Sequence, residues 1–94
     1  MVADERSLLE AVEKLANLEA LLGEQTGRAE LVTTAIGRLE RVLALGETGE
    51  RLALLGSAWK RRAASASDTE LRSVLERAGE YYRRAAERTG ASGD

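Results

Sequence analysis

The sequence predicts an all-α protein of four antiparallel helices. Ala, Leu, Glu and Arg dominate the 94 residues, and these side chains lose little rotamer freedom on a helix. The chain contains no Pro, and apolar residues recur at helical spacing in four separate segments. Because the connections between these segments are short, consecutive helices are expected to lie antiparallel as two stacked helical hairpins.

The first helix is predicted over residues 5–25. Its apolar stripe consists of Leu8, Val12, Leu15, Leu18 and Leu22. Asp4 or Ser7 would serve as the N-cap, and Ser7 followed by Glu10 has the form of a capping box. The stripe is expected to face a core shared with the other helices.

The second helix is predicted over residues 28–45, after the helix breakers Thr26 and Gly27 and before Gly46, which we expect at the C-cap. Its stripe consists of Val32, Ala35, Ile36, Leu39, Val42 and Leu43. The third helix, over residues 48–64, places on one face Leu52, Leu55, Gly56, Trp59 and Ala63.

The fourth helix is predicted over residues 68–88 and begins at a second capping box, Ser67 to Glu70. Its stripe consists of Leu71, Val74, Leu75, Ala78, Tyr82 and Ala85. Residues 1–89 are therefore expected to form a single domain, with residues 90–94 as a disordered tail because they lack apolar periodicity.

Three glycines, Gly37, Gly56 and Gly79, fall inside predicted helices, where each costs about 1 kcal/mol relative to Ala. A glycine within a helix permits close approach of another element. We expect Gly56 to lie where the third helix meets a large side chain, Leu39 or Tyr82. Tolerated composition explains Gly37 equally well.

The composition argues against catalysis. The chain has no Cys and no His, so that disulfides, thiolate zinc sites and the usual neutral-pH acid and base are missing, and no cofactor or metal is expected. Glutamates such as Glu10 and Glu13, on helices rich in Glu and Arg, are typical of surface ion pairs with basic residues three or four positions away.

With a charged N-terminus and no apolar run of about 20 residues, the sequence predicts a soluble, cytoplasmic protein without a membrane segment.

The charge is unevenly distributed. Residues 1–30 carry seven acidic and three basic residues, and the remainder has an excess of positive charge. Because both signs are interspersed, we interpret most of these charges as a solvated surface.

Nucleic-acid binding is an alternative function. Its surface would combine Tyr81, the candidate exposed aromatic residue, with a patch of basic residues: Lys60, Arg61, Arg62, Arg83 and Arg84.

The dipeptide Leu-Gly recurs at a spacing that indicates a structural repeat. Leu22-Gly23 returns 33 residues later as Leu55-Gly56, and Leu52, Leu55-Gly56 and Trp59 have the spacing of the first helix of a tetratricopeptide repeat (TPR). The pattern Ala78, Tyr82, Ala85 matches the second helix of that repeat. The chain thus resembles a degenerate TPR protein of about two units. The segment around residues 52–62 also resembles repeat regions of larger bacterial signalling proteins.

This resemblance implies a non-catalytic protein-interaction module, in which helices 1 and 3 form a groove for a peptide or a helix of a partner. The corresponding face consists of Asn17, Ala20, Glu24, Arg28, Glu50, Ala53, Ser57, Lys60 and Arg61. Lys60 and Arg61 could hold carboxylates of an acidic partner. Alternatively, these cations only complement the dipole at the end of helix 3.

A structural role is a further alternative. Two repeat units bury little core, so that apolar edges on helix 1 or helix 4 could pair with another copy, as a homodimer, or with neighbouring repeats of a longer chain.

Overall fold

Four helices make up the described chain. A computed structural model describes the backbone of residues 2–90 and the side chains of residues 6–88. The helices are α1 (Val2–Thr26), α2 (Ala29–Leu45), α3 (Gly49–Ala63) and α4 (Asp68–Gly90), and no strand occurs within residues 2–90. The predicted all-α class and the four-helix order are confirmed.

The helix boundaries differ most at the two ends of the described chain. α1 begins at Val2 rather than near residue 5, so that both N-cap candidates, Asp4 and Ser7, lie inside the helix and neither can be its N-cap. The predicted tail began at residue 90, but Gly90 still belongs to α4; residues 91–94 lie outside the described residues.

The turn of the first hairpin depends on Gly27, whose φ of 71° lies in the left-handed region. An L side chain is strained there, and glycine is not. The amide of Arg28 donates to the carbonyl of Gly23 at 2.8 Å, which is the bond expected when a left-handed residue closes a helix. α2 can therefore start at Ala29.

The second turn is fixed by Arg51. Gly46 ends α2 as predicted, with extended backbone, and its amide donates to Leu43 and Val42. Thr48 caps α3, its hydroxyl accepting from the amide of Arg51 at 3.1 Å. The Arg51 guanidinium donates to the Gly46 carbonyl at 2.6 Å and to Glu13 of α1 at 3.0 Å. One side chain thus joins the turn to both hairpins.

The start of α4 confirms one half of the predicted capping box. Glu70 accepts hydrogen bonds from the backbone amide of Ser67 at 3.1 Å and from its hydroxyl at 3.2 Å. The hydroxyl therefore bonds the Glu70 side chain, not an amide of the first turn. The two Ser67 donors and the nearby Arg62 guanidinium hold the pKa of Glu70 below its ordinary value.

The helices form two hairpins stacked on each other. α1 packs along α2, and α3 packs along α4; α3 also contacts α2 and α1. The α4 backbone approaches only α3 among the described helices. α3 is therefore the central element, with neighbours on three sides.

The core differs from prediction in α1 and in α4. The α2 stripe is buried as predicted except for half-buried Leu43, and Leu52 and Leu55 of α3 are buried as predicted. α4 buries Val74, Ala78 and Ala85, but the other members of its predicted stripe are exposed: 37% for Leu71, 48% for Leu75 and 39% for Tyr82.

α1, however, buries Ala16 and Ala20 and leaves the four leucines of the predicted stripe exposed; the exposed fractions are 65% for Leu8, 49% for Leu15, 61% for Leu18 and 51% for Leu22. Among the described helices, α1 contacts only α2 and α3, and small residues on that side let it approach them closely.

Two glycines occupy the points of closest approach. A Cβ at Gly23 would lie 2.8 Å from Val32 Cγ2 and 2.9 Å from the Arg28 carbonyl oxygen. A Cβ at Gly56 would lie 3.0 Å from the Tyr82 ring, which confirms the expected contact with that side chain. Gly37 and Gly79 have no atom within 4 Å of such a Cβ.

None of the helices in residues 2–90 has a stretch long and apolar enough to cross a lipid bilayer.

Candidate functional site

The predicted face lies where α1 and α3 run side by side. Two ion pairs join them: Glu13 to Arg51 at 3.0 Å and Glu24 to Arg61 at 2.6 Å. The two pairs are 38 and 37 residues apart in sequence, and this near-constant offset shows that α1 and α3 are parallel. The face therefore has one end formed by both N-termini and another formed by both C-termini.

The structure leaves eight of the nine predicted face residues at the surface. Ala20 is 1% exposed and belongs to the core cluster, so it is not available to a partner. The residues that are partly or largely exposed are Asn17, Glu24, Arg28, Glu50, Ala53, Ser57, Lys60 and Arg61.

The C-terminal end of the face contains a small depression of about 250 Å³. Glu24, Lys60 and Arg61 line it together with Ser57 and Tyr82. The Ser57 and Tyr82 hydroxyls lie 2.9 Å apart, within hydrogen-bond distance. Tyr82 belongs to α4, so this end of the face is formed by α4 as well as by α1 and α3.

The N-terminal end contains a second depression, of about 300 Å³. Asn17 and Glu50, both predicted, line it with Glu10, Lys14 and Leu54 as well as the paired Glu13. Sequence reasoning missed Lys14 and Leu54. The sequence did not show that α1 and α3 pack in parallel. In that arrangement Leu54 lies beside Asn17, at the same 37-residue offset that joins Glu24 to Arg61.

The two ends differ in their unpaired charges. Glu10 and Glu50 at the N-terminal end have no ion-pair partner among the described side chains, and neither have Lys60 and Arg28 at the other end. Arg61 is held by Glu24, but its Nε has no hydrogen-bond partner in the described part of the chain. Lys14 lies beside Glu10 and Glu50 and also has no ion-pair partner among the described side chains, so the N-terminal end mixes both signs, whereas the unpaired charges at the other end are cations.

The basic residues of the nucleic-acid alternative are largely neutralised. Arg61 pairs with Glu24, and Arg62 pairs with Glu70 at 3.6 Å. The remaining arginines, Arg83 and Arg84, pair with Glu80, Glu87 and Glu47.

The exposure of the two tyrosines is the reverse of the prediction, which placed Tyr82 in the apolar stripe and Tyr81 at the surface. Tyr82 is 39% exposed, whereas Tyr81 is partly buried against the core. Burial, followed by the nearby Glu40 carboxylate, raises the pKa of Tyr81. The ring available for stacking is therefore not the one that the sequence indicated.

A cleft that sequence reasoning missed opens between α2 and α4. Its volume is about 700 Å³, and Trp59 of α3 lines it together with Gly37, Glu40 and Arg77. The Arg77 guanidinium lies 5.2 Å from the centroid of the indole ring, a cation–π contact. Gly37 could have indicated this cleft from the sequence, because a glycine on the surface of a helix leaves open space when no other side chain packs on it.

Comparison with known proteins agrees with the TPR resemblance. The family model described as Tetratricopeptide Repeats-Sensor matches residues 2–92. No curated protein and no solved structure matches the chain. The match over nearly the whole chain, which agrees with the two stacked helical hairpins, shows that the protein belongs to the Tetratricopeptide Repeats-Sensor family.

Proposed function

We propose that the protein is a non-catalytic interaction module whose α1/α3 face binds an extended peptide or a helix of a partner protein. The carrying observation is the pair of cations at the C-terminal end of this face, Lys60 and Arg28, which have no ion-pair partner among the described residues. The other end mixes the unpaired Glu10 and Glu50 with Lys14. Family membership supports the module, since TPR-type domains generally mediate protein–protein interaction.

The face favours a ligand with acidic residues at the Lys60 end. Lys60 is exposed and has no ion-pair partner among the described side chains, and half-buried Arg61 lies beside it in the same depression. Half-buried Ser57 and Ala53 are small enough to admit a ligand backbone beside them. An acidic segment would gain charge-assisted hydrogen bonds there, and a basic segment would suit Glu10 and Glu50.

Peptide selection tests this proposal. Peptides selected from a displayed library on the purified chain are expected to be enriched in Asp and Glu, and to shift the amide resonances of Ala53, Ser57 and Lys60. Lys60→Glu should weaken the selected peptides by about tenfold, a loss typical of a central polar contact.

Arg72→Glu is the matched control, since Arg72 is exposed on α4 and outside the face. It makes the same charge change and should leave affinity within about twofold. If selected peptides instead perturb the first half of α4 around Arg72, away from Tyr82, or if both reversals weaken binding equally, the proposed face is wrong.

A further inference from the structure

Outside the α1/α3 face, the most prominent unpartnered surface is the row of exposed leucines on α1. Leu8, Leu15 and Leu22 are seven residues apart, so they lie within about 40° of one another around the helix, and Leu18 lies beside them. Each is about half exposed or more. Small proteins rarely leave a contiguous apolar row of this kind uncovered. We call these four residues the α1 leucine row.

A matching apolar row lies on the opposite hairpin. Leu71, Leu75 and Tyr82 of α4 are 37%, 48% and 39% exposed, and their spacing also confines them to about 40° of the helix. The α1 row extends over about 21 Å and the α4 row over about 16 Å, at 1.5 Å per residue. We call these three residues the α4 row.

The two hairpins carry opposite net charges. Residues 2–45 contain eight acidic and five basic residues, a net charge of −3, whereas residues 49–90 contain six acidic and nine basic residues, a net charge of +3. Two first hairpins would repel each other, and so would two second hairpins. A first hairpin and a second hairpin attract, as complementary surfaces do.

The contact within the molecule shows the same preference. α1 and α3, from different hairpins, are joined by Glu13–Arg51 and Glu24–Arg61, with the acid on the first hairpin in both pairs. Glu47, in the turn between the hairpins, likewise pairs with Arg84 of α4 at 2.8 Å.

From these observations we infer that the α1 leucine row docks on the α4 row of a second copy of this chain. The first hairpin of one copy then packs on the second hairpin of the next. Such a contact is heterologous: each copy uses a different surface. It does not close on itself, so association continues as the concentration rises. This goes beyond peptide binding, since the contact does not use Lys60, and Tyr82 is the single residue that the two rows share with a depression of the α1/α3 face.

Complementation between two variants tests the proposal. Leu15→Gln with Leu22→Gln replaces two of the four leucines of the α1 leucine row, and Leu71→Gln with Leu75→Gln replaces two of the three residues of the α4 row, so that neither variant retains a continuous apolar row at the changed helix. Glutamine has a helix propensity close to that of leucine and adds no charge. Circular dichroism confirms that each variant remains helical, and Leu45→Gln, at a leucine 73% exposed and in neither row, is the control.

Sedimentation equilibrium gives the result. The wild-type chain and the Leu45→Gln control are expected to increase in average mass with concentration, and less so as salt screens the hairpin charges. Each double variant alone should remain monomeric. An equimolar mixture of the two should form a 1:1 dimer, because one variant retains its α4 row and the other retains its α1 row.

Three outcomes would overturn the inference. The wild-type chain could remain monomeric at submillimolar concentration. The α4 variant could still associate alone, which would indicate α1-to-α1 pairing. The mixture could stay monomeric although the wild-type chain associates.

Discussion

At the scale of single residues, glycine sets how closely the helices of each hairpin approach. Gly23 faces Val32 and the Arg28 carbonyl, and Gly56 faces the Tyr82 ring. At Gly23 one of the neighbouring atoms is backbone, which cannot move aside without shifting the turn. Gly79 is also inside a helix, but it faces open space.

Alanine substitutions at two of these glycines are expected to have opposite signs. Gly23→Ala should lower the free energy of unfolding by about 1–2 kcal/mol, because overpacking exceeds the gain in helix propensity. Gly79→Ala should raise it by up to about 1 kcal/mol, because only the propensity gain applies. Urea unfolding followed by circular dichroism measures both. Stabilisation by Gly23→Ala would contradict the packing described here.

The residue scale also shows what the sequence could indicate about the candidate site. The residue types of the α1/α3 face were predicted, including Lys60, Ser57 and Asn17. Ala20 was misplaced because a helical stripe of mixed small and large residues does not show which side packs. The leucines suggested one side of α1, whereas close approach to α2 and α3 selected the alanines.

At the scale of elements, the N-terminus of α4 is held by an exposed carboxylate. Glu70 is bonded by the Ser67 amide and hydroxyl, and its pKa is lowered in the fold. A carboxyl group with a lowered folded pKa contributes stability above its unfolded pKa of 4.5. That contribution is lost as the pH falls through the folded value.

Glu70→Gln is therefore expected to lower the melting temperature near neutral pH, and the difference from the wild type should shrink near pH 3. Thermal unfolding at both pH values checks this. Glu76→Gln is the matched control, since Glu76 lies on the same helix with its side chain 69% exposed and its Arg72 partner at 3.6 Å. A Glu70→Gln effect that persists unchanged in acid would show that charge is not the cause.

The elements differ in how far the sequence determined them. α2 was predicted closely, in its boundaries and in its buried stripe, because one face of it packs on α1 and α3. The start of α1 was predicted too late because Ser7 and Glu10 mimic a cap inside a continuing helix. Local capping signals do not reveal whether the preceding residues also form helix.

At the scale of the whole molecule, the central position of α3 sets the distribution of stability. Within residues 2–90, α3 touches all the other helices, whereas the α4 backbone approaches only α3. Leu52 and Leu55 of α3 are fully buried, and most of the α4 surface is exposed. Local opening should therefore begin in the second half of α4.

Hydrogen exchange is expected to follow this order. Amides of α3 should exchange most slowly, and those beyond Tyr82 in α4 should exchange faster by about tenfold or more. Mass spectrometry or nuclear magnetic resonance on the intact chain measures the difference. Uniform protection across α3 and α4 would contradict the central role of α3.

The sequence period and the spatial register do not coincide. Leu22 and Leu55 are 33 residues apart in the repeat, but facing residues of α1 and α3 are 37 or 38 apart. The first copy of the Leu-Gly pair thus has an exposed leucine and the second a buried one. A repeat pattern indicates which residues are equivalent, and packing decides which of them meet.

The position of Trp59 determines what the fluorescence of the protein reports. It is the single tryptophan of the chain, and it lies in the wall of the α2/α4 cleft beneath the Arg77 guanidinium. Its emission therefore comes from one defined place, where three helices from both hairpins meet. Because indole emission responds to nearby charge and to water, the protein carries an intrinsic optical reporter of the junction between its hairpins.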